Sequence, residues 1–229
     1  MDISLTTPVT QLVTDRPARA RIFERLGIDY CCGGDHSLAE ACRKKDLDPN
    51  TVAEMLDAAV DANPSSDATD WSNASLGTLI DHIESTHHEY LRRELPRLER
   101  LLTRVAQAHG TEVPWTRDVL DVFLTLKIDL ESHMQSEEEQ VFPSIRALEE
   151  NGPSSLNPSG VEQMIEEHDE AGAALKHLRK LSKGFTPPEN ACPKFRAAMD
   201  GLHDLETNMH QHVHKENNIL FPRARSLAE

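Results

Sequence analysis

The sequence is poor in basic residues and in aromatic residues, and it has no long hydrophobic run. Its 24 lysines and arginines stand against 39 aspartates and glutamates, so the net charge is −15 with histidine neutral. Such a chain lacks the positive charge with which proteins bind nucleic-acid phosphates. Aromatic residues make up only 4% of the chain, which disfavours strands. We therefore expect an all-α protein that binds no nucleic acid.

The chain also has no segment typical of export or of membrane insertion. The N-terminus MDISLTTPVT lacks a basic start followed by apolar residues. The most apolar segment, LDVFLTLKIDL, is interrupted by Lys127 and Asp129. We therefore expect a cytoplasmic protein without a membrane span. In a reducing compartment, its four cysteines are expected as free thiols rather than as a disulfide framework.

Helix start signals recur through the first 62 residues. These signals are Thr7-Pro8, Asp15 before Pro17, the capping box from Ser37 to Glu40, and Asp48-Pro49. They predict a small domain of short helices over residues 1–62. The polar stretch that follows, 63–71, is rich in serine and is predicted to be a linker.

The remainder of the chain, 72–229, has the apolar periodicity of long helices separated by turn-rich stretches. The predicted helices cover residues 75–108, 116–149, 159–183 and 193–226. Four long helices with short connections predict an antiparallel bundle. Prolines within the predicted helices should kink them or loosen the local turn, and they lie at positions 96, 143 and 222.

The bundle contains an internal repeat that is rich in histidine. The segment HMQSEEEQVFP at 133–143 aligns with HVHKENNILFP at 212–222, an offset of 79, and the first and third helices align at an offset of 80. In each copy, one helix supplies a histidine and the next supplies His-x-x-x-Glu. The six residues so selected are His88, His133, Glu137, His168, His212 and Glu216.

These residues are candidate metal ligands. Residues four apart share a helix face, and the apolar neighbours of both His-x-x-x-Glu pairs place that face in the interior. Buried carboxylates and imidazoles cost several kcal/mol unless something compensates them. Four imidazoles and two carboxylates could hold two ions, and this donor set suits iron, manganese or zinc. The alternative is a set of core histidines paired with carboxylates.

In the first helix, His87 competes with His88 as the candidate ligand. The apolar residues Ile80, Ile83 and Leu91 centre the buried stripe nearer to position 87. The repeat favours His88, because only that alignment matches the apolar ridge of the third helix. We therefore predict that His88 is the ligand.

At this point the chain resembles the hemerythrin-like bundle, and more closely the iron-sulfur cluster repair di-iron proteins, the RIC family. The resemblance rests on the duplicated histidine pattern together with the N-terminal motif DYCCGG at 29–34. It implies two non-haem iron ions with an oxo or hydroxo bridge, held by the six residues above. It further implies a homodimer that repairs clusters damaged by nitric oxide or oxidants, with the damaged proteins as partners.

Two mechanisms accompany this resemblance, iron donation and nitric oxide chemistry, and the sequence leaves open whether the protein is an enzyme. A sensor or carrier of nitric oxide or dioxygen could use the same bundle. A di-iron nitric oxide reductase and a metal-free interaction bundle are further alternatives. The sequence alone does not separate these functions.

The adjacent thiols of Cys31 and Cys32 are candidates for redox chemistry or metal transfer. They cannot close an ordinary disulfide, because the eight-membered ring is strained. The helix start near Ser37 could lower a thiol pKa through exposed amides. Two small buried side chains in a tight turn are the alternative. Cys42 and Cys192 are expected to be ordinary packing residues.

Polar residues near the candidate ligands could orient them or relay a proton. Asp129 lies four residues before His133, and Glu167 precedes His168. A solvated carboxylate is the alternative for each. Four neighbouring residues are expected to be solvated, namely Glu138, Glu139, His210 and His214; the two histidines sit ~200° round the helix from His212.

Overall fold

The structure is a computed structural model that describes residues 3–61, 71–152 and 156–229. Within these ranges the regular elements are helices, and extended pairing is confined to an isolated bridge between Pro8 and Ser37. The prediction of an all-α protein is confirmed. None of the helices in the described ranges is long and apolar enough to cross a membrane. The predicted linker lies outside the described residues except for Trp71.

The four N-terminal helices begin close to their predicted start signals. They are α1 Val9–Asp15, α2 Ala20–Leu26, α3 Leu38–Arg43 and α4 Pro49–Asp61. A 3₁₀ turn, Pro17–Arg19, leads into α2, and Gly27 ends that helix with a φ of 65°. The core beneath them is apolar and fully buried, and includes Phe23, Tyr30, Leu38 and Leu56.

The predicted capping box is present at the start of α3. Ser37 Oγ accepts a hydrogen bond from the Glu40 backbone N–H at 3.3 Å, and Glu40 Oε2 accepts one from the Ser37 backbone N–H at 3.1 Å. Two backbone donors at the helix start are therefore satisfied by side chains. The hydrogen bond from the Ser37 backbone is also the main reason why the pKa of Glu40 is lowered.

Replacing Ser37 with alanine should destabilise the N-terminal helices by ~1 kcal/mol, the usual effect of losing an N-cap side chain. Denaturant unfolding of Ser37→Ala measures this loss of stability. Ser226→Ala is the control, because Ser226 is exposed in the last helix. Since the pKa of Glu40 is lowered, the contribution of its carboxylate is fully present above the ordinary glutamate pKa and is lost as pH falls through the lowered value. Equal stability of both variants at neutral pH would contradict the prediction.

The long helices match the predicted positions to within a few residues. Three of the four predicted helices each consist of two segments. These pairs are α5 Leu76–Ile83 with α6 Glu89–His109, α7 Trp115–Ser136 with α8 Phe142–Asn151, and α10 Pro193–Lys215 with α11 Phe221–Ala228, while α9 Pro158–Leu181 is a single segment. One π-turn joins the two segments of each pair. The π-turns are Glu84–His88, Glu137–Val141 and Glu216–Leu220.

Two of the π-turns end two residues before a proline. The Phe142 N–H bonds the Glu137 carbonyl, and the Phe221 N–H bonds the Glu216 carbonyl, which are both i to i−5 bonds. Pro143 and Pro222 follow these residues, and a proline ring clashes with the carbonyl four residues before it unless the helix widens. The predicted loosening is therefore seen at both prolines. Pro96 lies inside α6 without a π-turn.

Packing divides the chain into two compact units. The first unit comprises Met1–Leu79 with His210–Ser226, and the second comprises Ile80–Met209 with Leu227–Glu229. The C-terminal segment is thus grouped with the N-terminal helices, whereas the sequence suggested a division at the linker. In the second unit, α7 packs against both α6 and α9.

Candidate metal centre

In the second unit, three histidines converge on one carboxylate. Glu137 is the first residue of the π-turn after α7, and its side chain is completely buried. Its Oε2 lies 3.3 Å from His88 Nε2, and its Oε1 lies 3.3 Å from His133 Nε2 and 4.0 Å from His168 Nε2. These residues come from three separate long helices, so tertiary packing assembles the group.

The imidazoles of His133 and His168 also face each other. Their Nε2 atoms are 2.9 Å apart, and their ring centroids are 4.7 Å apart. Ligand atoms of these two histidines and of Glu137 all lie within 4.8 Å of one another. Two imidazole nitrogens and a carboxylate oxygen within this distance form a donor set that suits a transition-metal cation.

The outward nitrogens of two of these imidazoles are held by carboxylates. His88 Nδ1 donates to Glu138 Oε1 at 2.6 Å, and His133 Nδ1 donates to Glu167 Oε2 at 2.7 Å. A proton on Nδ1 leaves the lone pair on Nε2, the atom that faces Glu137. Metal-bound histidines are oriented in this way, because the carboxylate fixes both the ring and its tautomer.

Glu138 is a functional candidate that the sequence analysis missed. The prediction that it is solvated is wrong, since it contacts His88 and also pairs with Arg92. Desolvation raises its pKa, but the hydrogen bonds from His88 and Arg92 outweigh that effect and hold the pKa below its usual value. In the sequence, nothing distinguishes it from its exposed neighbour Glu139.

The structure places Glu167 and Asp129 differently with respect to the histidines. Glu167 bonds His133 on the facing helix rather than the adjacent His168. Asp129 is exposed, and it lines a cavity of about 200 Å³ whose other lining residues include Glu167, His133 and His168. The cavity therefore opens on two candidate ligands and is flanked by acidic side chains.

Both histidines that competed for the first position are buried. His88 faces Glu137, whereas His87 Nδ1 lies 3.3 Å from Asn208 Oδ1 and its ring packs edge-on against His82. The structure thus brings His88, the residue that the repeat selected, to the carboxylate. The apolar stripe pointed to His87 because both rings are inside.

In the first unit, the repeated pair has the same arrangement. His212 Nε2 lies 2.9 Å from Glu216 Oε1, and both side chains are completely buried. Glu216 is the first residue of its π-turn, as Glu137 is of its own. The duplication therefore extends from the residue types to the local backbone, and π-turns of this kind are frequent at functional sites.

The cysteine pair lies in a turn that Asp29 organises. Asp29 Oδ1 accepts hydrogen bonds from the backbone N–H groups of Cys31 and Cys32, both at 3.1 Å. The two Sγ atoms are 3.7 Å apart, and neither residue forms a disulfide. The hydrogen bond to Cys32 and then burial raise the pKa of Cys31 well above its usual value. The expectation that nearby amides activate the pair by lowering a thiol pKa is therefore wrong for Cys31.

The C-terminal histidines beside His212 pack against this motif within the first unit. The ring of His214 lies edge-on to Tyr30 with centroids 5.5 Å apart, and that of His210 lies edge-on at 6.0 Å. The prediction that both are solvated is wrong, because His214 is buried and His210 is half-buried. Burial lowers the pKa of His214 to about 4.

The last glycine of the motif permits a close backbone approach. A Cβ at Gly34 would overlap Thr10 Oγ1 and would lie 2.7 Å from the Tyr30 carbonyl oxygen, whereas a Cβ at Gly33 would meet only the Asp29 carboxylate at 3.3 Å. Gly34→Ala should therefore destabilise the first unit by ~2–3 kcal/mol, a typical cost of overpacking. Gly33→Ala is the matched control in denaturant unfolding, and equal effects of the two variants would contradict the prediction.

Comparison with known proteins gives two family matches and a set of close relatives. Residues 79–224 match the hemerythrin HHE cation binding domain, and residues 5–60 match a domain of unknown function. The chain is 33% identical over 221 residues to the iron-sulfur cluster repair protein YtfE of Enterobacter sp. (strain 638), covering 95% of this chain and 96% of the relative. It is 31% identical over 213 residues to the iron-sulfur cluster repair protein ScdA of Staphylococcus haemolyticus, covering 93% and 95%.

Proposed function

The chain belongs to the family of hemerythrin-like proteins that includes YtfE and ScdA, and on that premise we propose that it repairs damaged iron-sulfur clusters. The observation that carries the proposal is the convergence of His88, His133 and His168 on the buried Glu137. An apolar interior tolerates this group when a cation neutralises the carboxylate and the imidazoles coordinate it. The matched domain is named for cation binding, and the relatives are named for cluster repair.

The proposed cofactor is a pair of non-haem iron ions. The six repeat-selected residues would hold it, namely His88, His133, Glu137, His168, His212 and Glu216. The support is the repeat itself, together with the matching His-to-Glu contact and π-turn of each copy. When bound, iron supplies two oxidation states and an open position for a diatomic molecule such as nitric oxide or dioxygen.

The surrounding side chains prepare the donor atoms. Glu138 and Glu167 keep Nε2 of His88 and His133 unprotonated and directed at the centre. Asp129 and Glu167 flank the cavity that reaches His133 and His168, and their charge favours the passage of a cation or the relay of a proton. In this proposal a labile iron of the pair would be released to the damaged client protein.

Cys31 and Cys32 are proposed to accept metal or to exchange a disulfide with the recipient. Cys32 is half-buried, whereas Cys31 is buried and its pKa is raised, so Cys32 is the thiol that reaches a partner. Loss of repair in Cys32→Ser, with iron content unchanged, would support this role. Full repair by that variant would contradict it.

The proposed function is tested by metal analysis and a repair assay on protein purified without oxygen. We expect about two irons per chain, the number that two sets of His and Glu donors can hold, and restored activity of an enzyme whose cluster was damaged by nitric oxide. His133→Leu should lose iron and repair, while His177→Leu, at an exposed position, should keep both.

Other outcomes would favour the alternative functions. Reversible gas binding without repair indicates a sensor or carrier, and repeated turnover of nitric oxide to nitrous oxide indicates a reductase. Absence of iron in the anaerobic protein would overturn the proposal in favour of an interaction bundle.

Three further properties remain predictions. The cytoplasm is the proposed location, since none of the four cysteines is in a disulfide. The homodimer that the resemblance implies is tested by light scattering of the full chain. The proposed domains are 1–62 and 72–229 with a linker at 63–71, and limited proteolysis tests whether cleavage starts in that linker.

A further inference from the structure

A fourth thiol lies apart from the candidate metal centre, within the second unit. Cys192 directly precedes α10 and is half-buried. Its Sγ lies 3.4 Å from Nε2 of His109, the last residue of α6. The His109 ring is packed on Phe195, with centroids 5.4 Å apart, and Trp115 also packs on Phe195, with centroids 5.6 Å apart. A nucleophile and a base are therefore held together by side chains from three helices.

The start of α10 favours the thiolate of Cys192. The hydrogen bond from the Phe195 backbone is the largest influence that lowers the pKa of Cys192, and the hydrogen bond with His109 is the next. The N-terminal amides of a helix stabilise a negative charge in this way. By contrast, burial raises the pKa of Cys42, whose side chain is inaccessible. The expectation that Cys192 is an ordinary packing residue does not fit these contacts.

A cleft beside the Cys192 thiol is basic, although the chain as a whole is acidic. The cleft has a volume of about 430 Å³, and its lining residues are Arg104, Val105, Gln107, Ala108, His109, Cys192 and Lys194. Two permanent cations and an imidazole line the cleft together with Cys192, and this lining includes no acidic side chain. Against a net charge of −15 for the chain, the cleft is locally suited to an anionic ligand.

We propose that Cys192 and His109 form a thiol-modification site that reacts with anionic disulfides of low molecular weight. His109 takes the thiol proton, and the Cys192 sulfur attacks one sulfur of the disulfide. A new S–S bond forms to Cys192 while the original S–S bond breaks, and its electron pair leaves with the second half as a thiolate. Cys192 is oxidised, the departing half is reduced, and that half accepts the proton from His109. The site uses none of the proposed iron ligands and stands independently of the proposed function.

The test is site-resolved mass spectrometry of the full-length protein during exposure to three disulfides of different charge. The probes are dithiodipropionate, which is a dianion, the neutral bis(2-hydroxyethyl) disulfide, and the cationic cystamine. We expect Cys192 to react fastest with the dianion, by at least about threefold over the neutral probe at low salt. The double variant Arg104→Gln/Lys194→Gln should remove this preference without removing the thiol.

The role of His109 is tested by the pH dependence of the same reaction. His109→Gln should slow the modification of Cys192 by about threefold or more below neutral pH, because less thiolate is present. The helical content and Tm of this variant show whether it is folded, and the buried Cys42 is the internal unreactive reference. An unchanged rate in His109→Gln together with equal reaction of all three probes would overturn the proposal. So would a rate at Cys192 no greater than that at Cys42.

Discussion

A Glu137→Leu variant should lose bound iron and, with it, repair activity. Glu137 contacts His88 and His133 at 3.3 Å and is completely buried, so no solvent-exposed group can replace its carboxylate. Losing an orienting partner of a metal ligand weakens binding by ~10–100-fold, and loss of a ligand itself should weaken it by more than about 100-fold. Iron content after anaerobic reconstitution measures the effect.

The stability of the same variant separates a metal ligand from a merely structural ion pair. Leucine is apolar and of similar size, so metal-free Glu137→Leu should be no less stable than the metal-free wild type. If the carboxylate served only to pair with the histidines, its removal would destabilise the fold by ~3–5 kcal/mol. The Tm of each protein with and without a chelator distinguishes the two, and Glu139→Leu, at an exposed neighbour, is the control. Iron content at the wild-type level in Glu137→Leu would rule out the ligand assignment.

A Glu138→Ala variant should bind metal ~10–100-fold more weakly while its ligands remain intact. The carboxylate of Glu138 holds Nδ1 of His88 at 2.6 Å, so without it the imidazole can rotate or place its proton on Nε2. Competition with a chelator of known affinity measures the loss. Glu139→Ala is the matched control, because that side chain is exposed one residue further along the helix.

Glu138→Gln refines the experiment with Glu138→Ala. Its amide oxygen can still accept the hydrogen bond from His88, but it lacks the charge, so its affinity should lie between those of the wild type and the alanine variant. Equal affinities of Glu138→Ala and Glu139→Ala would show that the contact with His88 does not support metal binding.

Local signals predicted the helices of this protein well. The start of α3 followed from Ser37 and Glu40, whose side chains meet backbone donors only three residues away. The long helices followed from apolar periodicity, since each has one face in the core. The positions of the π-turns could not be predicted, because prolines do not mark them consistently. The first π-turn, Glu84–His88, is not followed closely by a proline, and Pro96 lies inside α6 without a π-turn.

The candidate site was found through duplication rather than through any single residue. A single histidine on an apolar helix face does not indicate a metal site. The choice between His87 and His88 depended on the alignment with the second copy of the repeat. The hydrogen-bond partners of the imidazole Nδ1 atoms could not be predicted from the sequence. Glu138 and Glu139 are adjacent and chemically identical, and only the packing of α6 on α7 brings His88 to one of them.

By itself, the sequence determined the helical class, the start of most helices and the six residues that repeat, because these depend on spacing along one chain. The tertiary structure decided which polar groups meet across helices. It brought Glu138 to His88, packed His214 against Tyr30, and set His109 beside Cys192. Such contacts join residues 50 to 184 positions apart, since 138 − 88 is 50 and 214 − 30 is 184. Neither helical periodicity nor capping carries information over that separation, so only the packed fold could reveal them.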